Sequence, residues 1–118
     1  MLVESFSQLK VGDSIDSRAV GAPRHVAQFY FYLLRSDLPS RCLNLQCGRF
    51  ARKIMMINGF LIGGADQELA KAVGLDPDNA NLDRSLLIVT NRSGKVINLF
   101  ENVGVGSLDE ILEQISSR

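Results

Sequence analysis

The clearest pattern in the chain lies at residues 84–101, RSLLIVTNRSGKVINLFE, where two apolar runs flank Asn91-Arg92-Ser93-Gly94. This pattern predicts a β-hairpin, with Gly94 in the left-handed turn position that residues bearing a Cβ resist. Upstream, residues 26–34 read VAQFYFYLL and bring four aromatics together without alternation. A run apolar on both sides predicts a strand covered on both faces, in the middle of the sheet. From residue 40 to 54 the period changes: Leu43, Cys47, Phe50 and Ile54 fall at i, i+4, i+7 and i+11. That stripe is one helix wide and predicts a helix, with Arg49, Arg52 and Lys53 directed elsewhere.

Residues 54–62 carry Asn58-Gly59 between IMMI and FLI, a two-residue hairpin signal inside a run that also reads as one short strand; the single strand is preferred. Residues 65–73 place Leu69, Ala72 and Val73 on one side, and Gly74 stands where a helix terminator belongs. A polar turn cluster follows at residues 76–83, and Ser107-Leu108-Asp109-Glu110 has the capping-box pattern for a closing helix with Leu108, Ile111, Leu112 and Ile115 as its apolar face. At the other end, Leu2, Phe6 and Leu9 have helical spacing and predict a short helix that Gly12 and Asp13 break. Residues 11–24 read as a loop or weak edge segment, the most mobile part of the chain. The order strand, helix, strand, helix, hairpin, helix predicts an α/β fold, a sheet with helices packed on it.

Composition narrows the function classes. With 118 residues and 46% apolar content the chain fits one domain that needs neither disulfides nor metals to fold. Thirteen Lys and Arg balance thirteen Asp and Glu, so no global field gathers phosphates or anionic lipid, and neither nucleic acid nor a membrane surface is expected as partner. No apolar run reaches the roughly 18 residues of a membrane span, and the first ten residues lack a secretion pattern. A cytoplasmic protein is expected, with Cys42 and Cys47 as thiols rather than a structural bridge.

Asp37-Leu38-Pro39 after the buried strand, Cys47-Gly48, residues 68–75 (ELAKAVGL), the strand opening at Arg84 and its return at residues 94–97 resemble, in that order, the thiol peroxidases. These are atypical two-cysteine peroxiredoxins. The resemblance runs from Val26 to Ile115 and implies a thioredoxin-like, peroxiredoxin-like sheet flanked by helices, shortened at its N-terminal side. It implies that Cys47 matches the family's resolving cysteine and Arg84 the arginine that stabilises thiolate and peroxide. The family's P-x-x-x-T/S-x-x-C segment, which sets the attacking thiolate at a helix start, has no counterpart upstream of Val26, because residues 1–25 contain no cysteine. The resemblance thus implies a domain without its own peroxidatic cysteine, acting as a thiol redox partner or binding module. A lost first strand would leave a sheet edge open, so a homodimer or a protein partner at that edge is expected.

Each chemical candidate has a plainer reading. Cys47 lies on the apolar stripe, where a free cysteine is usually a small buried hydrophobe. On a continuous helix Cys42 and Cys47 would stand about 140° apart and could not face each other. Arg41, next to Cys42, is the one cation that hints at thiolate activation. Arg84 also reads as a solvated strand end, and His25 as structural. Cys-x₄-Cys with a single histidine is too small a ligand set for zinc, and residues 59–64 (GFLIGG) lack the Lys-Ser/Thr of a phosphate loop, so no metal or cofactor is expected. The competing function is a small α/β protein-interaction domain in which both cysteines only pack.

Overall fold

The computed structural model describes residues 2–6, 8–76, 78 and 81–117. In chain order its elements are β1 (Leu2–Val3), β2 (Ser5–Phe6), β3 (Leu9–Lys10), β4 (Phe29–Leu34), β5 (Cys42–Leu43), α1 (Arg49–Met56), β6 (Gly59–Gly64), α2 (Gln67–Ala72), β7 (Leu86–Asn91), β8 (Val96–Phe100) and α3 (Val105–Ser116). Short 3-10 turns occupy Ser17–Val20, Asn44–Cys47 and Leu82–Arg84. Six strands form one mixed sheet in the order β1-β8-β7-β4-β6-β5, and β2 with β3 makes a separate small ribbon. β4 runs parallel to β6 and antiparallel to β7, which continues into β8 as the hairpin the sequence predicts. Gly94 in the turn has φ +93°, the left-handed conformation expected of it.

Alternation along β4 sorts its side chains onto two faces, both covered. Phe31 and Leu33 meet α1 and α3 through Phe50, Ile54, Leu108, Ile111, Leu112 and Ile115. Tyr30, Tyr32 and Leu34 meet α2 and the N-terminal segment. Full burial of side chains this large is worth about 1.5–3 kcal/mol each, which is why the unalternating FYFYLL run takes the centre of the sheet.

The N-terminal quarter departs from the expectations. Among the described residues of 2–9 no helix forms; Leu2–Val3 adds a strand to β8, and Phe6 and Leu9 point to the core from the β2–β3 ribbon. These pieces are two residues long, too short for any periodicity to reveal. Residues 11–24, expected to be loose, contribute Ile15, Val20 and Ala22 to the buried face under the sheet. The chain is therefore not a sheet stripped on its N-terminal side: β1 takes the position beside β8, and Gly12, Asp13 and Ser14 pair with Val96 and Lys95 further along the same edge. At the edge where the sequence reading leaves a strand open, β1 pairs with Leu99 and Phe100 and residues 12–14 with Lys95 and Val96; at the other edge β5 pairs with Ile62 and Gly63 of β6.

Elsewhere the reading holds with shifted boundaries. α2 ends at Ala72, and Gly74, φ +95°, follows just past its cap. α3 starts at Val105, two residues before the expected cap, and Ser107 serves as its third residue: its hydroxyl accepts from the Gly104 N–H at 2.9 Å. Asn58-Gly59 makes no hairpin; Asn58, φ +58°, terminates α1, and one strand follows. The polar cluster at 76–83 lies partly outside the described residues, and its end forms the Leu82–Arg84 turn.

Candidate functional site

Between β4 and α1 the chain does not follow the helix that its apolar stripe predicts over residues 40–54. α1 begins only at Arg49, and two residues with positive φ break the path before it: Asn44 at +46° and Gly48 at +74°. Cys42 instead sits on β5, opposite Gly63 of β6, and Cys47 closes the 3-10 turn one residue ahead of the α1 cap. The turn is held by side chains on both sides: Asn44 Oδ1 accepts from the Leu61 N–H at 2.9 Å, and Gln46 Oε1 from the Leu43 N–H at 3.1 Å.

This strand-and-turn path brings the two Cα atoms to 5.3 Å, inside the range a disulfide spans, and the sulfurs are bonded. Two expectations are corrected here: that the pair are thiols, and that they face apart. The 140° separation holds only on a continuous helix, and the positive φ of Asn44 and Gly48 removes that helix.

The bond is buried, Cys42 at 2% and Cys47 at 4% exposure. Its floor is Gly63, where an added Cβ would lie 3.1 Å from each sulfur and 3.3 Å from Leu38 Cδ1. Gly64 is needed for the same reason, since a Cβ there would strike the Ser40 carbonyl. The GG step that is no phosphate loop thus lets the cysteine segment lie against the sheet. Pro39 anchors that segment, its carbonyl accepting from the Ala65 N–H at 3.1 Å.

The loop between β4 and β5 is set by Arg35, which sequence reasoning did not single out. Its guanidinium donates to both Asp37 carboxylate oxygens (2.8 and 2.9 Å) and to the Val103 carbonyl (2.8 Å), and lies 5.0 Å above the Phe50 ring. The Arg35 hydrogen bonds hold the Asp37 carboxyl below its ordinary range. One signal was available: an arginine directly after a buried strand, with an acid two residues on. Ser85 also donates to the Val103 carbonyl, so β4, β7 and the turn into α3 meet at one oxygen.

Cys42 and Cys47 are therefore united, while Arg84 stands apart from them. It ends the turn before β7, is 63% exposed, and pairs with Glu101 at 3.8 Å. β7 lies three strand spacings from β5, about 14 Å across the sheet. Arg41, beside Cys42, faces Asp66 at 3.5 Å. His25 has φ +61°, and its carbonyl accepts from Arg92 at 3.1 and 2.7 Å, on the far side of the hairpin turn. Among the described residues no cluster of three or more His, Cys, Asp or Glu could hold a metal, and no helix is long and apolar enough to cross a membrane.

Compared with protein-family models, curated proteins and solved structures, the chain matches none of them.

Proposed function

We propose that the protein is a thioredoxin-like domain of thiol-peroxidase descent whose working group is the Cys42–Cys47 couple, a thiol redox partner cycling between dithiol and disulfide. The observation that carries this reading is the bond itself, formed in the connection from the central strand to the first helix. The order β4, α1, β6, α2, β7, β8, α3 with strands β6-β4-β7-β8 in sequence supports the fold half of the reading, being the order a thioredoxin-like sheet takes. In the reducing cytosol expected for this chain, a disulfide is a turnover state rather than a permanent staple.

In exchange, a partner thiolate attacks Cys47 Sγ. The bond to Cys42 breaks, and its electron pair leaves on the Cys42 sulfur, which takes a proton from water. A second partner thiol then displaces Cys47, so two partner thiols become one disulfide and the couple becomes a dithiol. A second reading is favoured by the same bond. If Cys47 is the resolving cysteine, the sulfur it resolves is its bonded neighbour, and Cys42 takes the place of the nucleophile that no residue upstream of Val26 provides. Peroxide would oxidise Cys42 to the sulfenic acid with release of water, and Cys47 would condense with it, releasing a second water.

Intact mass with alkylation decides among the readings. The untreated protein is expected to take up no alkylating agent, and two equivalents after dithiothreitol. A disulfide that dithiothreitol opens only on unfolding would leave the packing role of the interaction-domain reading. Reduced protein is then mixed with one equivalent of hydrogen peroxide. Rapid loss of two hydrogens, with a sulfenic acid trapped in Cys47→Ser and none in Cys42→Ser, assigns peroxide reduction; slow oxidation by peroxide beside fast exchange with a disulfide leaves the redox-partner reading.

A further inference from the structure

The chain is neutral overall, yet the surface beside the disulfide is not. α1 reads RFARKIMM and holds three cations and no acid. Arg49 is its first residue and Arg52 its fourth, where the helix's own positive end opposes them. Acidic residues would serve the helix better at both positions. Lys53 is committed to Asp109 at 2.8 Å, whereas among the described residues neither Arg49 nor Arg52 enters an ion pair. These side chains, with Leu45, Gly48 and Val105, line a groove of about 680 Å³. Leu45 is 62% exposed, and Leu45 and Gly48 lie on either side of Cys47 in the chain.

We propose that this groove docks an acidic segment of the thiol protein that exchanges with Cys47, the two free guanidiniums taking its carboxylates and Leu45 an apolar side chain next to its cysteine. The inference rests on the redox reading above and adds the chemistry of the partner. Charge complementarity selects the occupant: the groove is lined by Arg49, Arg52 and Lys53 and by no acid, so it attracts an acidic chain and repels a basic one. The location does the rest, because a segment seated there lies against Leu45 and Gly48, which flank Cys47 in the chain.

The test uses the oxidised full chain and three reductants: a cysteine peptide flanked by Asp and Glu, its counterpart flanked by Lys, and dithiothreitol. At low salt the acidic peptide is expected to open the disulfide at least about tenfold faster than the basic one, the range of electrostatic steering. The advantage should vanish at high salt and reverse in the Arg49→Glu, Arg52→Glu protein, while the dithiothreitol rate stays the same in both proteins. Equal rates for the two peptides, or an acidic preference that survives the charge reversal, would overturn the proposal with the redox reading intact. Inertness to dithiothreitol in the folded protein would remove both. Single-stranded DNA that blocks the acidic peptide at equal charge concentration, where a cysteine-free acidic peptide does not, would also overturn it, because the groove would then be a phosphate site.

Discussion

Gly63 is the single position on which the cysteine pair most depends. Its missing side chain leaves room for both sulfurs and for Leu38, and a methyl group there would sit 3.1 Å from each sulfur. Gly63→Ala is expected to cost the oxidised protein about 1–3 kcal/mol, the usual range for overpacking. The reduced protein, whose sulfurs are free to separate, should lose less, so the dithiol–disulfide equilibrium against dithiothreitol moves toward the dithiol. At the opposite end of the sheet Asp16 accepts from Arg24 Nη2 at 2.6 Å and Nε at 3.0 Å and from the Arg18 N–H at 3.0 Å. Chiefly through the Arg24 bonds its carboxyl drops from 3.8 to about 2. A carboxyl with a depressed folded value stabilises the fold above its unfolded value and loses that contribution as it protonates. The Asp16 share should thus be complete above pH 4 and fade as pH falls toward 2. In Arg24→Ala the Asp16 midpoint, followed by NMR, should rise toward 3.8, and the acid-unfolding curve should flatten over that window.

Among the elements, the β7–β8 hairpin was readable because one residue declares its turn. Gly94 has a φ open to glycine, and the Ile15 carbonyl occupies the space a Cβ would need. Gly94→Ala should cost about 1–3 kcal/mol in urea unfolding, the price of such backbone strain. The segment from Ser40 to Arg49 was misread for a definable reason: Leu43, Cys47, Phe50 and Ile54 imitate a helical stripe, yet only Phe50 and Ile54 lie on α1. The features that break the pattern are the positive φ of Asn44 and Gly48 and the Gly63-Gly64 step that admits the segment against β6, and none of them shows in periodicity. The disulfide closes that irregular loop. In the chain-entropy description a ring of this size contributes about 2 kcal/mol, so the dithiothreitol-treated protein should unfold at lower urea than the oxidised parent, and the Cys42→Ser, Cys47→Ser protein lower still, because it also buries two hydroxyls.

For the whole molecule, the α/β class, the central strand and the succession of helices were legible, since they rest on long patterned runs. The N-terminal layer was not, because two-residue strands and isolated core side chains such as Ile15 and Val20 carry no period. That layer decides the edge of the sheet. Replacing Leu2 and Val3 with prolines removes the β1 donors and uncovers β8, and the expected results are a loss of about 1–2 kcal/mol and a sedimentation coefficient that rises with concentration, where the parent's does not. The candidate site was half legible: both cysteines and the Asp37-Leu38-Pro39 approach were visible, but their meeting depends on contacts between β5 and β6 that no local pattern encodes.

The Cys42–Cys47 bond lies buried, its residues at 2% and 4% exposure, directly after the segment that the Arg35–Asp37 pair pins, and that burial has a kinetic consequence. A reagent cannot collide with a sulfur it cannot touch, so reduction must wait for the segment to lift. With rising thiol concentration the observed rate should therefore climb and then level off at the lifting rate, the same ceiling for every reductant. Arg35→Ala, which unpins the segment, should raise that ceiling, turning a gated bond into one that answers to concentration alone.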